Sequence, residues 1–379
     1  MINYKTINKN ENVMVCYSEF TPPKGVTEYQ VMIQLTKPGQ SYEEQLKLLL
    51  DTYSDLKENE FKKGTTIFKR YFLSDAANQT DLLLAETEHS DCALSIIEQA
   101  PCNGTKIALW AFLQTEVSTK ALPEGLFEVA HNGYRHLWKG RDFNRASTSE
   151  YQTRLLLNNY VMQLSEQNCK LADNCIRTWF FVQNIDVNYA GMVKARNEVF
   201  LTQDLTEKTH YIASTGIGGR HPDPQVTVQM DAYAINGIQP AQIQFLYATT
   251  HLNPTYEYGV SFERGTCVKY GDRRQVFISG TASINNKGEV VYPGDVRKQT
   301  NRMWENVEAL LKEAECSFDN VSQAIIYLRD PADYTIVKEL FDNKFPHLPH
   351  VIVHAPVCRP KWLIEMECIA VKSDKNDEF

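Results

Sequence analysis

Along the C-terminal stretch from Cys358 to Val371, apolar and polar positions alternate with a period of two. Trp362, Ile364, Met366, Cys368 and Ala370 fall on one face, and Leu363, Glu365, Glu367, Ile369 and Val371 on the other. Two glutamates therefore interrupt an otherwise aliphatic strand. Such a face is either turned to water or lines a site that uses an acid. Upstream of it, Val276 to Gly280 reads as a strand and Pro293-Gly294-Asp295 as a helix stop and cap. Val296, Met303, Val307, Leu310, Leu311 and Ala314 follow at helical spacing, then a strand from Val321 to Leu328 and a helix from Tyr334 to Phe345.

The same order occurs twice more. In the first third, Tyr29 to Leu35 is a strand, and Ser41 with Glu44 forms a capping box before Leu46, Leu49, Leu50 and Tyr53. A strand from Thr65 to Leu73, a helix near Asp81 to Glu88, and strands Ala93 to Glu98 and Ile107 to Leu113 complete the unit. In the middle third, Ser147 with Glu150 predicts a second capping box and a helix through Leu164. The strand Ile176 to Val182, a helix reaching Phe200 and a closing strand Val226 to Ala234 follow. Sliding the last unit back by 145 residues lays Val321 on Ile176, Tyr334 on Tyr189 and Phe345 on Phe200. Sliding it back by 255 lays Tyr327-Leu328-Arg329-Asp330 on Phe72-Leu73-Ser74-Asp75. The expectation is an α/β (α+β) chain of three tandem units, residues 1–118, 119–238 and 262–379, with 239–261 as a linker. In the three closing strands, Glu365 then stands opposite Gln229 and Ala108, so only the third unit keeps an acid there. Glu367 has an acidic counterpart in Asp231 and reads as structural.

Composition narrows the function. A net charge of -8 and a pI near 5.7 argue against a surface that tracks nucleic-acid phosphates. No charged leader followed by an apolar core opens the sequence, and no run approaches the length of a membrane span, so a cytoplasmic protein with no membrane partner is expected. Nine cysteines with no C-x-x-C spacing read as free thiols. His350 and His354 lie in an extended, proline-flanked segment, which does not suit a zinc pair. Ser214 to Gly219 is glycine-rich but lacks the lysine of a phosphate loop, and no metal or cofactor is expected.

The third unit resembles the RidA (YjgF) family. The resemblance rests on Val276-Phe277-Ile278-Ser279-Gly280, Gly294-Asp295 with Gln299, Asp319-Asn320-Val321, Tyr327-Leu328-Arg329-Asp330 and Leu363 to Ala370. Members are trimers of a small chorismate-mutase-like unit with active sites between subunits, and they hydrolyse reactive imines and enamines. Three such units in one chain, the first of them degenerate, imply an intramolecular pseudo-trimer that could stand as a monomer. In that family an arginine fifteen residues before the equivalent of Glu365 clamps the substrate carboxylate, and here the place is held by His350. A second resemblance, to the chorismatases, runs through Tyr256-Glu257-Tyr258-Gly259, Ser261-Phe262-Glu263-Arg264, Ser279 to Ile284, and Cys358-Arg359-Pro360 ahead of Glu365. Tyr134-Arg135-His136-Leu137-Trp138 is similar to their Tyr/Arg-rich segment. These enzymes cleave the enolpyruvyl ether of chorismate and release pyruvate.

The resemblances imply a hydrolase or lyase acting on a small carboxylated metabolite, with its site between units two and three. The alternatives are an imine deaminase and a non-catalytic metabolite binder. Glu365 is the candidate catalytic acid, because burial raises a carboxyl pKa toward neutrality. Arg264 and Arg359 lie in the matched motifs and suit substrate carboxylates. Arg359 reads equally as an exposed turn residue, and Arg177 is either a third cation or a surface strand position. Tyr258 is a hydrogen-bond donor or a half-buried loop residue. Cys358 lines the cleft without a base to activate it, and Ser279 and Gly280 supply backbone contacts.

Overall fold

The computed structural model describes residues 2–23, 25–87 and 91–379. Three six-stranded sheets repeat one topology. The first holds β1 (Ile2–Lys9), β2 (Val13–Phe20), β3 (Glu28–Leu35), β4 (Gly64–Leu73), β5 (Ala93–Glu98) and β6 (Ile107–Thr115), in the order β1-β2-β3-β6-β4-β5. The helices α1 (Tyr42–Asn59) and α2 (Ala76–Thr87) connect its strands. The Glu88 end expected for α2 lies outside the described residues.

The second sheet holds β7 (Ser118–Ala121), β8 (Leu126–His131), β9 (Tyr134–Phe143), β10 (Cys175–Val182), β11 (Ala213–Gly218) and β12 (Val228–Asn236). Its helices are α3 (Ser149–Glu166), the short α4 (Leu171–Asn174) and α5 (Ile185–Thr202). The third holds β13 (Ile243–Leu246), β14 (Gly265–Lys269), β15 (Arg273–Ala282), β16 (Val321–Leu328), β17 (His350–His354) and β18 (Ile364–Ser373), with α6 (Val296–Glu313) and α7 (Tyr334–Lys344). In each unit an antiparallel meander leads to a helix, and the closing strand inserts between the meander and a parallel pair. The fold is thus α+β, three tandem RidA-like units joined as an intramolecular pseudo-trimer. Residues 239–261, expected as a linker, carry β13, which pairs with β14 from Ile243↔Val268 to Leu246↔Gly265.

Local chemistry sets the helix starts. The Ser41 hydroxyl accepts from the Glu44 amide at 3.2 Å while Glu44 accepts from the Ser41 amide at 2.9 Å, which is the expected capping box. At α3 the cap falls one residue later than expected. Thr148 accepts from the Tyr151 amide, and Glu150 is drawn instead to Arg154 and Lys194.

The units close head to tail around a shared core. β5 packs on β9, β11 on β15, and β17 on β3, each parallel pair meeting the next unit's meander. Trp110, Trp138, Trp179, Tyr233 and Phe277 from all three units belong to one buried cluster, which runs on into the helix-to-sheet core of the third unit, while the helix-to-sheet clusters of the first two units are separate. Every position of β18 from Ile364 to Val371 is buried, so its glutamate face is not a solvent face. No helix among the described residues is long and apolar enough to cross a membrane.

Candidate active site

The closing strands confirm which side chains are equivalent. Glu365 pairs with Tyr327, Gln229 with Phe181 and Ala108 with Phe72, one rung inside Leu328, Val182 and Leu73 respectively. The clefts at the other two positions are closed. Gln229 donates its amide to the Ile96 carbonyl at 3.1 Å, and beside Ala108 the Gln34 amide donates to the His350 carbonyl at 2.9 Å. At the interface between units two and three a recess remains, bounded by α5, β11, β15, the segment before β14 and the segment before β18.

Glu365 forms part of its wall and is 5% exposed. Burial, with Glu367 close behind it, pushes its carboxyl up to about 8 against the pull of Arg177 and Arg264. A β-bulge between Ile278 and Thr281 makes room for it. Gly280 there lies against the carboxylate, and a β-carbon at 280 would come within 2.2 Å of Glu365 Oε1. Its neighbour Ser279 ties the units together, donating to the Glu263 carbonyl at 2.6 Å and accepting from the Ser214 amide at 2.9 Å. The Gly280 amide donates to Thr215 Oγ1 at 2.9 Å. Both residues hold the cleft's frame.

Three arginines face this acid, and among the described residues none has a carboxylate partner. Arg264, 5% exposed, donates to the carbonyl and side-chain oxygen of Asn253 at 2.9 and 3.2 Å and leaves Nε unpaired. Arg359 is packed between the rings of Tyr258 at 4.7 Å and Trp362 at 5.0 Å. Arg196, on α5, is 1% exposed, with Nε and Nη2 unpartnered. Sequence reasoning missed Arg196. The signal was available: the offset of 145 that lays Phe345 on Phe200 also lays Phe341, a buried aromatic, on Arg196. Tyr258 lines the same recess between Arg264 and Arg359, as does Cys358, whose thiol burial and the nearby Glu365 push up to about 12. A thiol held that high is not a nucleophile.

The third unit's relatives can now be named. A family model described as Endoribonuclease L-PSP matches residues 266–372. A RutC family protein of Pyrococcus abyssi is 35% identical over 99 residues, 26% of this chain and 78% of that protein. The chain belongs to the RidA (YjgF/RutC) superfamily. The 2-iminobutanoate/2-iminopropanoate deaminase of Rattus norvegicus is 30% identical over 101 residues, 26% of this chain and 74% of that protein. A solved structure titled as a chorismatase covers 90% of this chain and 98% of its own, with a TM-score of 0.65 and 16% identity. The superfamily match thus spans the third unit, while the fold likeness extends across all three.

Two expected site residues lie elsewhere. Arg177 is neither a surface residue nor part of the recess wall. It is 2% exposed and donates to Glu367 Oε2 at 2.8 Å and to Thr215 Oγ1 at 2.5 Å. Glu367 also accepts from Trp179 Nε1 at 2.8 Å, and its counterpart Asp231 pairs with Arg70 at 2.8 Å. These acids are structural, each charge matched inside the core. His350 opens β17 at the seam with unit one, its ring against Phe341 at 5.3 Å and its Nδ1 2.8 Å from the Leu348 carbonyl. It does not reach the recess, because β17 is the far edge of the third sheet. Among the described residues, no group of three or more His, Cys, Asp and Glu could hold a metal ion.

Proposed function

We propose that the chain hydrolyses the enolpyruvyl ether of a small dicarboxylate, in the manner of a chorismatase, with Glu365 moving the protons. One observation carries this reading: a carboxyl held neutral near pH 7 shares its recess with Arg196, Arg264 and Arg359, three cations with no carboxylate partner among the described residues. Neutral Glu365 protonates the methylene carbon, which places positive charge on the ether-bearing carbon. The carboxylate so formed takes a proton from water as its oxygen bonds to that carbon. The hemiketal then breaks its bond to the ring oxygen, giving pyruvate and a free hydroxyl, with Glu365 again neutral. The arginines suit the two substrate carboxylates because their planar forks stay charged when desolvated.

The deaminase reading draws on the activity in the rat relative's name and uses the same Glu365 to activate water. Against it stands the position of His350, which brings no cation to the recess. Incubating the purified protein with chorismate and following pyruvate decides between them. Pyruvate release that Glu365→Ala lowers at least a thousandfold supports the proposal. Absence of pyruvate, with ammonia released from 2-iminopropanoate, replaces it with the deaminase, and turnover of neither leaves a metabolite binder.

A further inference from the structure

A second, wider recess shares no residue with the Glu365 site and lies where the meanders of the three units converge. Its polar wall follows from the repeat. Glu28 pairs with Gln114, His136 with Ile235 and Gln275 with Val371, and these three rungs stand equally far along the closing strands from Ala108, Gln229 and Glu365. Two rungs deeper, Phe112, Tyr233 and Ile369 are likewise equivalent and line a smaller void beneath. In a trimer of identical chains this mouth would carry one side chain three times. Here it carries a carboxylate, an imidazole and an amide, so a ligand on the pseudo-threefold axis meets an asymmetric surface that fixes one orientation.

The charge and shape of that surface select the ligand. Arg273, 3% exposed, is consumed by the protein, donating to Glu28 at 2.7 Å, to the Val26 carbonyl at 2.7 Å and to Asp272 at 3.1 Å. Among the described residues lining the recess, the side chains of Glu28 and Asp272 set two carboxylates against the one guanidinium of Arg273, an excess of negative charge. Burial and the nearby Arg273 hold both histidines below their ordinary pKa, so neither offsets it. The rings form a parallel ladder: His131 on His136 at 4.7 Å, His136 on Tyr233 at 6.0 Å, and Tyr233 on Trp138 at 4.2 Å. His131 ends this ladder in the recess, and both its ring nitrogens lack a hydrogen-bond partner among the described residues. An aromatic face beside surplus carboxylate is the chemistry that recognises a flat cation.

We propose that this recess binds one planar aromatic cation, an arylamidine or a protonated amino-heterocycle, stacked on His131 with its charged group toward Glu28 and Asp272. Calorimetric titration of the full chain with benzamidine tests it. Saturable one-to-one binding is expected, weakened at least tenfold by His131→Ala and by Glu28→Gln and unchanged by Glu365→Gln. The His131→Ala variant leaves the Arg273–Glu28 pair in place, so it separates loss of the ligand from loss of the fold. Benzoate, with the same ring and the opposite charge, is expected not to displace benzamidine. No saturable binding, equal affinity in His131→Ala, or displacement by benzoate would overturn the proposal.

Discussion

The Glu365 carboxylate and the α-carbon of Gly280 face each other so closely that a β-carbon at position 280 would come within 2.2 Å of Oε1 and 3.1 Å of Thr215 Cγ2. Glycine at this bulge is a condition for seating the acid. The carboxylate's position, and with it the direction of proton delivery, depends on an atom that is missing.

Gly280→Ala is therefore expected to displace Glu365 while leaving the unit interface joined through Ser279. A displacement near 1 Å costs on the order of a hundredfold in rate. Turnover of the enol ether should fall by about that factor with a melting temperature within a few degrees of wild type. Full activity in Gly280→Ala would show that the carboxylate has room to spare.

The raised pKa of Glu365 makes a stability prediction with a definite sign. Its ordinary value is 4.5 and its folded value about 8, so between these pH values the folded chain holds a proton that the unfolded chain has released. The contribution of this group is then fully present below pH 4.5 and is lost as pH rises through 8, at a limiting slope of about 1.4 kcal/mol per pH unit. Glu365→Gln removes the titration. Urea unfolding at pH 5, 6.5, 8 and 9 should show wild type losing stability relative to Glu365→Gln until the difference levels off above 8. Catalysis should decline over the same upper limb, because the proposed mechanism starts from the protonated acid. A pH-independent difference would place the folded pKa of Glu365 in the ordinary range.

Glu365 was legible in the sequence because its strand has two internal counterparts, and the ladders show that the comparison was in register. The gapless offset of 145 was not in register throughout. Leu328 stands opposite Ile364 as Val182 stands opposite Val228, one residue away from what that offset gives. A 3-10 turn at Pro331–Asp333 precedes α7, whereas α5 begins three residues after β10, so no single offset serves strand and helix together. The short edge strands were not legible either. β7 is exposed at all four positions, so no apolar alternation marks it. Arg177 misled for the opposite reason: its partner Glu367 is 190 residues away, and only the closed ring of units brings them together.

Arg177 and Glu367 form a pair whose halves should not be separable. Arg177→Met leaves the Glu367 carboxylate in the core with Trp179 and Thr215 as hydrogen-bond donors and Arg70 Nη1 at 3.8 Å. Removing one partner of a buried ion pair costs roughly 3–5 kcal/mol. Arg177→Met should lose stability of that order in urea, and Arg177→Met with Glu367→Leu should recover a substantial part of it. A variant as stable as wild type would show that the two side chains do not depend on each other.

Arg196 predicts the reverse pattern. It is buried on α5 with two unpaired guanidinium nitrogens, and desolvation lowers its pKa from the ordinary arginine value, so the free protein carries a cation that its own structure does not neutralise. Replacing such a charge with an apolar side chain of similar length relieves the desolvation cost of a buried cation that has no counter-ion. Arg196→Met should therefore unfold at equal or higher urea concentration than wild type. If the uncompensated charge is kept for a substrate carboxylate, the same substitution should raise KM at least tenfold, because the bound anion would lose a charge-assisted partner. Stability and binding would move in opposite directions on one substitution, which a purely structural arginine cannot produce. A loss of stability with unchanged KM would return Arg196 to the core.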